Sequence, residues 1–201
     1  MAMILASQSP RRRELLGQMG FSFTVRPARG EELPHPELTP AQLVEELARQ
    51  KALEVSAGAD ADDVVVAADT VVAVDGTVLG KPRDRAHAAE MLSALSGREH
   101  TVYTGVAVKR GAKLLVEHEA TQVRFRPLTE REIDLYIQTG EPMDKAGSYG
   151  IQGYGALLVE GIRGDYFNVV GLPICRLGRM LAQVGEDALA QCAQKCAEKE
   201  R

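Results

Sequence analysis

Apolar and polar positions fall in blocks whose periods predict an α/β chain. A short apolar strand at about Ala2–Ala6 precedes a helix at Pro10–Met19 and a strand near Phe21–Arg26. A polar, proline-containing connection, Ala28–Leu38, leads to a second helix. Thr39-Pro40-Ala41-Gln42 marks its start as a capping box with proline at the first helical position. Leu43, Val44, Leu47, Ala48, Ala52 and Val55 then keep a helical stripe. Val64–Ala68 is an unbroken apolar run of the kind buried on both faces of a sheet, and Asp69 is expected to end it. Val71–Val74, Asp75-Gly76 and Thr77–Leu79 read as a tight hairpin.

A helix at Arg85–Leu95 is stopped by Gly97, and two long strands, Thr101–Lys109 and Lys113–Arg126, turn at Arg110-Gly111. Thr129-Glu130-Arg131-Glu132 is a second capping box, opening a helix that ends near Gly140. Gly147, Gly150, Gly153 and Gly155 mark a segment that is tightly turned or closely approached by a ligand. Strands near Ala156–Glu160 and Tyr166–Val170 precede a helix at Pro173–Gln183, and the polar tail from Glu186 to Arg201 is helical in pattern. Alternating elements that become strand-rich predict a mixed, twisted sheet with flanking helices. No repeat or linker divides the chain: positions 1–185 form one expected domain and 186–201 its tail.

The first helix breaks a local rule. Ser9 suits the N-cap and Pro10 the first turn, yet Arg11, Arg12 and Arg13 follow, where the helix dipole disfavours cations. A bound phosphate would compensate, since free amides, the dipole and guanidinium forks all favour one. The alternative is three solvated arginines on a surface helix. A net charge of −4 argues against a general nucleic-acid binder, though a local cationic cleft fits an acidic protein. No apolar run reaches membrane-spanning length and the N-terminus lacks a signal-peptide pattern, so the expected location is cytoplasmic. Cys175, Cys192 and Cys196 form neither a disulfide framework nor a zinc pattern, and four scattered histidines form no cluster.

Asp69, at a strand end, could bind a metal or accept a proton from water; the alternative is a turn aspartate bonded to its own backbone. Lys51 falls on the apolar stripe of the second helix, so it must snorkel, pair with an acid or face a polar cleft. Gly76–Pro82 imitates a phosphate-binding loop, but it is one residue short between glycines and has proline where Ser or Thr would hold magnesium. Lys81 still presents a charge from a Gly–Lys–Pro turn. Arg11, Arg12, Lys51, Lys81 and Lys145, with Glu31, Glu32, Asp69 and Asp144 as acids, suggest a divalent metal and a polyphosphate. No Ser–His or Cys–His nucleophile pair stands out, which leaves direct attack by water on phosphorus as the most economical chemistry.

These segments resemble the Maf family. The resemblance is carried by Ser7-Gln8-Ser9-Pro10-Arg11-Arg12, Gln50-Lys51-Ala52, Ala68-Asp69-Thr70, Gly80-Lys81-Pro82, Gly140–Gly147, Tyr149–Gly153 and Val170–Pro173. It runs from about Ile4 to Ala182 in matching order and spacing and says nothing of the tail. It implies an ITPase-like α/β fold of two lobes around a nucleotide-binding cleft. The implied activity is hydrolysis of a nucleoside triphosphate between its α- and β-phosphates, with a divalent cation (Mg2+, Mn2+ or Co2+). By the same resemblance Asp69 is the proton acceptor and Glu31 helps hold the metal, with a metal contact as the alternative or added role of Asp69. Ser7, Ser9, Arg12, Lys51, Lys81 and Lys145 are implied substrate-binding residues. Arg11, Thr70 and Gln152 match the positions that separate substrate branches, and here resemble the branch acting on dTTP and UTP, including modified pyrimidines. A homodimer, with neither nucleic-acid nor membrane partner, is also implied. The competing implication is a nucleotide-binding regulator of cell division with little or no hydrolysis; an inert scaffold would explain none of the spacing.

Overall fold

The computed structural model describes residues 2–30, 35 and 37–199. Its centre is a seven-stranded mixed sheet in the order β2-β1-β3-β5-β6-β7, with β4 paired to β3 off that path. The strands are β1 (Met3–Leu5), β2 (Phe23–Val25), β3 (Val64–Val74), β4 (Thr77–Leu79), β5 (Glu99–Arg110), β6 (Lys113–Phe125) and β7 (Val159–Arg163). The helices are α1 (Pro10–Gln18), α2 (Pro40–Ser56), α3 (Arg85–Leu95), α4 (Glu130–Gln138), α5 (Tyr166–Val170), α6 (Ile174–Gln183) and α7 (Ala188–Lys199). Three short 3-10 turns lie between α4 and β7, at Glu141–Asp144, Ala146–Ser148 and Tyr154–Leu157.

Both capping boxes form as the sequence predicts. Thr39 and Thr129 each accept on the side chain from the backbone amide three residues on and donate their own backbone amide to the Gln42 or Glu132 side chain, worth about 1 kcal/mol per helix start. The side chains of β3 then divide the molecule, because a strand sends successive residues to opposite faces. Val64, Val66 and Ala68 pack with Leu15 and Leu16 of α1 and Leu177, Met180 and Leu181 of α6. Val65 and Ala67 pack on the other face against Ala48, Ala52 and Val55 of α2. Val72 and Val74, further along the first face, join a separate core with Leu92, Leu95, Ile133 and Ile137 of α3 and α4.

β3 differs from expectation, and the difference makes the site. The predicted strand end and hairpin strand are one continuous strand of 11 residues, so Asp69 lies in its middle. β1 pairs with β3 only through Val66 and β4 begins pairing only at Val72. On the other edge β5 pairs without a break from Val65 to Ala73. Residues 67–71 thus keep a strand neighbour on one side alone. Continuous pairing with β5 holds the polar Asp69-Thr70 step extended, although an aspartate in a turn is the commoner arrangement.

Tyr166–Val170, predicted as a strand, is the helix α5. Its aromatic and β-branched residues favour a strand locally, but Asp165 caps the segment by accepting from Phe167 N at 2.8 Å. The buried Asn168 amide then finds Val102 O at 3.0 Å and Thr121 Oγ1 at 2.9 Å, which ties the helical form to the sheet. The strand expected at Ala156–Glu160 starts later, at Val159, after a 3-10 turn. Among the described residues no helix is long and apolar enough to cross a membrane. In α7 Cys192 Sγ contacts Met19 O at 2.6 Å, and the side chain of Cys196 lies outside the described set.

Candidate functional site

A cleft of about 1420 Å³ opens along the one-sided stretch of β3. It is larger than most small-molecule pockets, which suits an extended polar ligand. Ser7, Ser9, Arg11, Arg12, Lys51, Asp69, Thr70, Lys81, Lys145 and Gln152 all line it. Every candidate chosen from the sequence, Asp144 included and apart from Glu31 and Glu32, therefore converges on one cavity. Glu31 and Glu32 lie outside the described residues.

Pleating sends Asp69 and Thr70 to opposite faces, and each finds a cation. Asp69 turns toward α2, where Lys51 Nζ lies 2.5 Å from Oδ1, with both side chains mostly buried. The inward lysine of the apolar stripe thus pairs with an acid. Among the described residues no other protein donor reaches the Asp69 carboxylate. Thr70 turns toward α1, where its Oγ1 accepts from Arg12 Nη2 at 2.8 Å. Arg12 also donates from Nε to Gly171 O at 2.7 Å and from Nη1 to Ser7 Oγ at 3.2 Å.

The excess of arginine at the start of α1 resolves into distinct roles. Among the described residues Arg12 is held at Ser7, Thr70 and Gly171, Arg11 donates from Nη1 to Asp144 Oδ2 at 3.0 Å, and Arg13 is exposed away from the cleft lining. Ser9 occupies the N-cap position, but its side chain makes no capping bond, contrary to expectation. Its backbone amide instead donates to Ser7 Oγ at 3.2 Å, which turns the chain into the cleft. Asp144, expected among metal-holding acids, is engaged by Arg11 and by Lys145 Nζ at 2.7 Å. Those contacts hold its carboxyl below the usual range against the opposing effect of burial.

The glycine-rich segment is tightly turned, as expected, and protein groups make its close approaches. Glu141 accepts from Tyr154 N at 2.8 Å, from Gly155 N at 3.0 Å and from Tyr136 Oη at 2.8 Å. Burial would raise its pKa, yet these hydrogen bonds outweigh burial and lower it. Burial, then the Glu141 bond, pushes the Tyr136 hydroxyl upward, so it remains a neutral donor. A Cβ on Gly153 would overlap the Glu141 carboxylate. Gln152, at the tip of this turn, is exposed. Lys81 is also exposed; its turn is fixed by Gly147 N donating to Gly80 O at 3.0 Å.

Sequence patterns missed Tyr136, Glu141, Thr104 and Asn168. Thr104 is fully buried, 2.9 Å from Thr70 Oγ1, and donates to Asn168 O at 3.0 Å. Nothing local marks these residues, because their partners come from other elements. The Glu141-Pro142-Met143-Asp144-Lys145 run was a signal of a polar corner, but not of which atoms it grips.

Among the described residues no group of three His, Cys, Asp or Glu side chains is arranged to hold a metal. The donor set still fits a hard cation held largely by its substrate: magnesium commonly takes one or two carboxylates and completes its shell with water and phosphate oxygens. Asp69, one of the acids lining the cleft, is a carboxylate of the kind such a cation takes.

The family model of the Maf-like protein matches residues 2–184. A protein of Moorella thermoacetica named dTTP/UTP pyrophosphatase is 56% identical over 188 residues, covering 92% of this chain and 96% of that protein. One of the same name from Symbiobacterium thermophilum is 56% identical over 187 residues, covering 91% and 94%. Among solved structures, a HAM1 protein from Coxiella burnetii aligns with a TM-score of 0.49 at 14% identity, covering 91% of this chain and all of that one.

Proposed function

The chain belongs to the Maf-like family, and from that membership and the chemistry of its cleft we propose that it hydrolyses dTTP and UTP to the nucleoside monophosphate and pyrophosphate. The observation that carries the proposal is the presence of Arg11, Arg12, Lys51, Lys81 and Lys145 around the same cleft as Asp69. A cluster of cations in the cleft that holds Asp69 suits a triphosphate and a reaction at its phosphorus. The name dTTP/UTP pyrophosphatase, shared by relatives covering nearly the whole chain, supplies the substrate class.

In the proposed reaction the oxygen of a water molecule bonds to phosphorus at the α–β bridge, the bridging P–O bond breaks and pyrophosphate leaves. Asp69 takes the proton of that water, and Lys51 fixes the carboxylate by occupying Oδ1. Arg12, oriented by Gly171, Ser7 and Thr70, stabilises the charge developing on the phosphate oxygens. Lys81, Lys145 and Arg11 bind the remaining phosphates, while Gln152 offers the base edge a donor and an acceptor on one amide. A divalent cation, held by Asp69 with help from Glu31, would neutralise phosphate charge and acidify the water.

The test is pyrophosphate release from a panel of pyrimidine and purine nucleoside triphosphates with magnesium, manganese or cobalt, against an EDTA control. Metal-dependent turnover of dTTP and UTP, with purines poor, is the expected result. Tight dTTP binding without turnover in any metal would replace the enzyme by a nucleotide-binding regulator.

A further inference from the structure

One acid lining the cleft is gripped by backbone amides. Glu141 lines the cavity, yet its carboxylate receives donors from Tyr136, Tyr154 and Gly155. A carboxylate only accepts, with about four lone-pair sites, and three are spent here on the protein itself. Tyr136 Oη in turn accepts from Gly150 N at 3.1 Å. The backbone amides of residues 150, 154 and 155 are thus tied, directly or through one hydroxyl, to a single side chain. Gln152 lies inside that bracket.

The same residue reaches the phosphate side. Its own carbonyl accepts from Lys145 Nζ at 2.7 Å; Lys145 pairs with Asp144, and Asp144 with Arg11. Gly153 shows how close the fit is, since any side chain there would displace the carboxylate.

We infer that Glu141 is a positioning residue for base selection: by gripping the backbone on both sides of Gln152 it fixes how far that amide stands from the sugar end of the nucleotide. The inference rests on the proposed reading of the cleft. A glutamine amide can flip to suit many hydrogen-bonding edges, so its chemistry alone selects weakly. Its position selects more strongly, because a purine holds its hydrogen-bonding edge further from the sugar than a pyrimidine does. A fixed turn penalises the wrong distance and a loosened turn does not.

Glu141→Gln keeps the shape but leaves one acceptor oxygen for three donors and puts an NH2 against one of them. The expected result is a fall of about tenfold in the preference for dTTP over dATP, read as the ratio of kcat/KM values. KM for dTTP rises several-fold while kcat changes little. Amide hydrogen exchange at Gly150, Tyr154 and Gly155 speeds up, while that of α2 is unchanged. Tyr136→Phe, which removes only the hydroxyl bridge, gives a smaller change in the same direction and carries the test if Glu141→Gln does not fold. Unchanged selectivity overturns the inference, whether or not the turn loosens; so does an equal fall of kcat/KM for all nucleotides. If the wild-type protein turns over no nucleotide, the proposed function fails first. The exchange experiment then decides the positioning claim, and unaltered protection at those three amides overturns it.

Discussion

Lys51 Nζ and Asp69 Oδ1 stand 2.5 Å apart, joining a helix to the middle of a central strand across the floor of the cleft. The pair depends on α2 packing against the sheet, where its backbone leaves no room for a Cβ at Gly105. It also removes the objection to a lysine on an apolar stripe, because the charge is matched where it is buried.

Asp69→Asn is expected to lower kcat for dTTP by about 10²–10⁴-fold, the usual range for a removed general base, with KM changed far less. Lys51→Met is expected to reduce kcat and raise KM. The double variant falls no more than about tenfold below Asp69→Asn alone, since the two residues act as a unit. Steady-state kinetics on the three variants checks this, and additive losses would separate their roles.

Gly105 pairs opposite Asp69 on β5, and a Cβ there would overlap the backbone of Val44 in α2. Backbone cannot swing aside as a side chain can. Gly105→Ala is therefore expected to destabilise the fold by about 3 kcal/mol, at the upper end of overpacking costs. Lifting α2 also draws Lys51 from Asp69, so activity falls even in the folded fraction. Urea unfolding and kinetics on the same preparation measure both.

Thr104 fixes the direction of a hydroxyl proton. It donates its own proton to Asn168 O, so across the 2.9 Å contact Thr70 must donate to Thr104. Thr70 then has only lone pairs left, and Arg12 Nη2 takes one. Thr104→Val removes the acceptor and frees Thr70 to rotate away from Arg12, with an expected rise in KM for dTTP of about tenfold. Thr104→Ser keeps the oxygen and is expected to stay close to wild type. Equal effects of the two would place the cause in packing.

His100 is buried, with Nε2 2.8 Å from Tyr149 Oη. Burial lowers its pKa from 6.5 to about 4. The unfolded chain therefore binds a proton before the folded one does. The stabilising contribution is complete above pH 6.5 and is lost as pH falls toward 4, by about 1.4 kcal/mol at pH 5.5. Glu46 and Glu132, lowered to about 2, lose their own contributions only below about pH 4.5. Urea unfolding at pH 7.5 and 5.5 isolates the histidine: His100→Gln should be less sensitive than wild type across that interval.

The sequence alone determined what short-range interactions control. Caps at Thr39 and Thr129, the helical stripe of α2 and the Asp75-Gly76 hairpin each depend on residues a few positions apart, and all of them formed. Motif spacing also picked out residues that meet in one cleft. The tertiary structure decided the pairings. Lys51 finds Asp69 from 18 positions away, Thr70 finds Thr104 from 34 and Arg11 finds Asp144 from 133. Such contacts follow from strand register and helix docking, which no local period encodes. The same long-range pairing kept Asp69 in mid-strand, and contacts with Val102 and Thr121 made Tyr166–Val170 a helix against its strand-like composition. Local propensity is worth tenths of a kcal/mol per residue, and a buried amide or hydroxyl left unpaired costs more, so the tertiary contacts won.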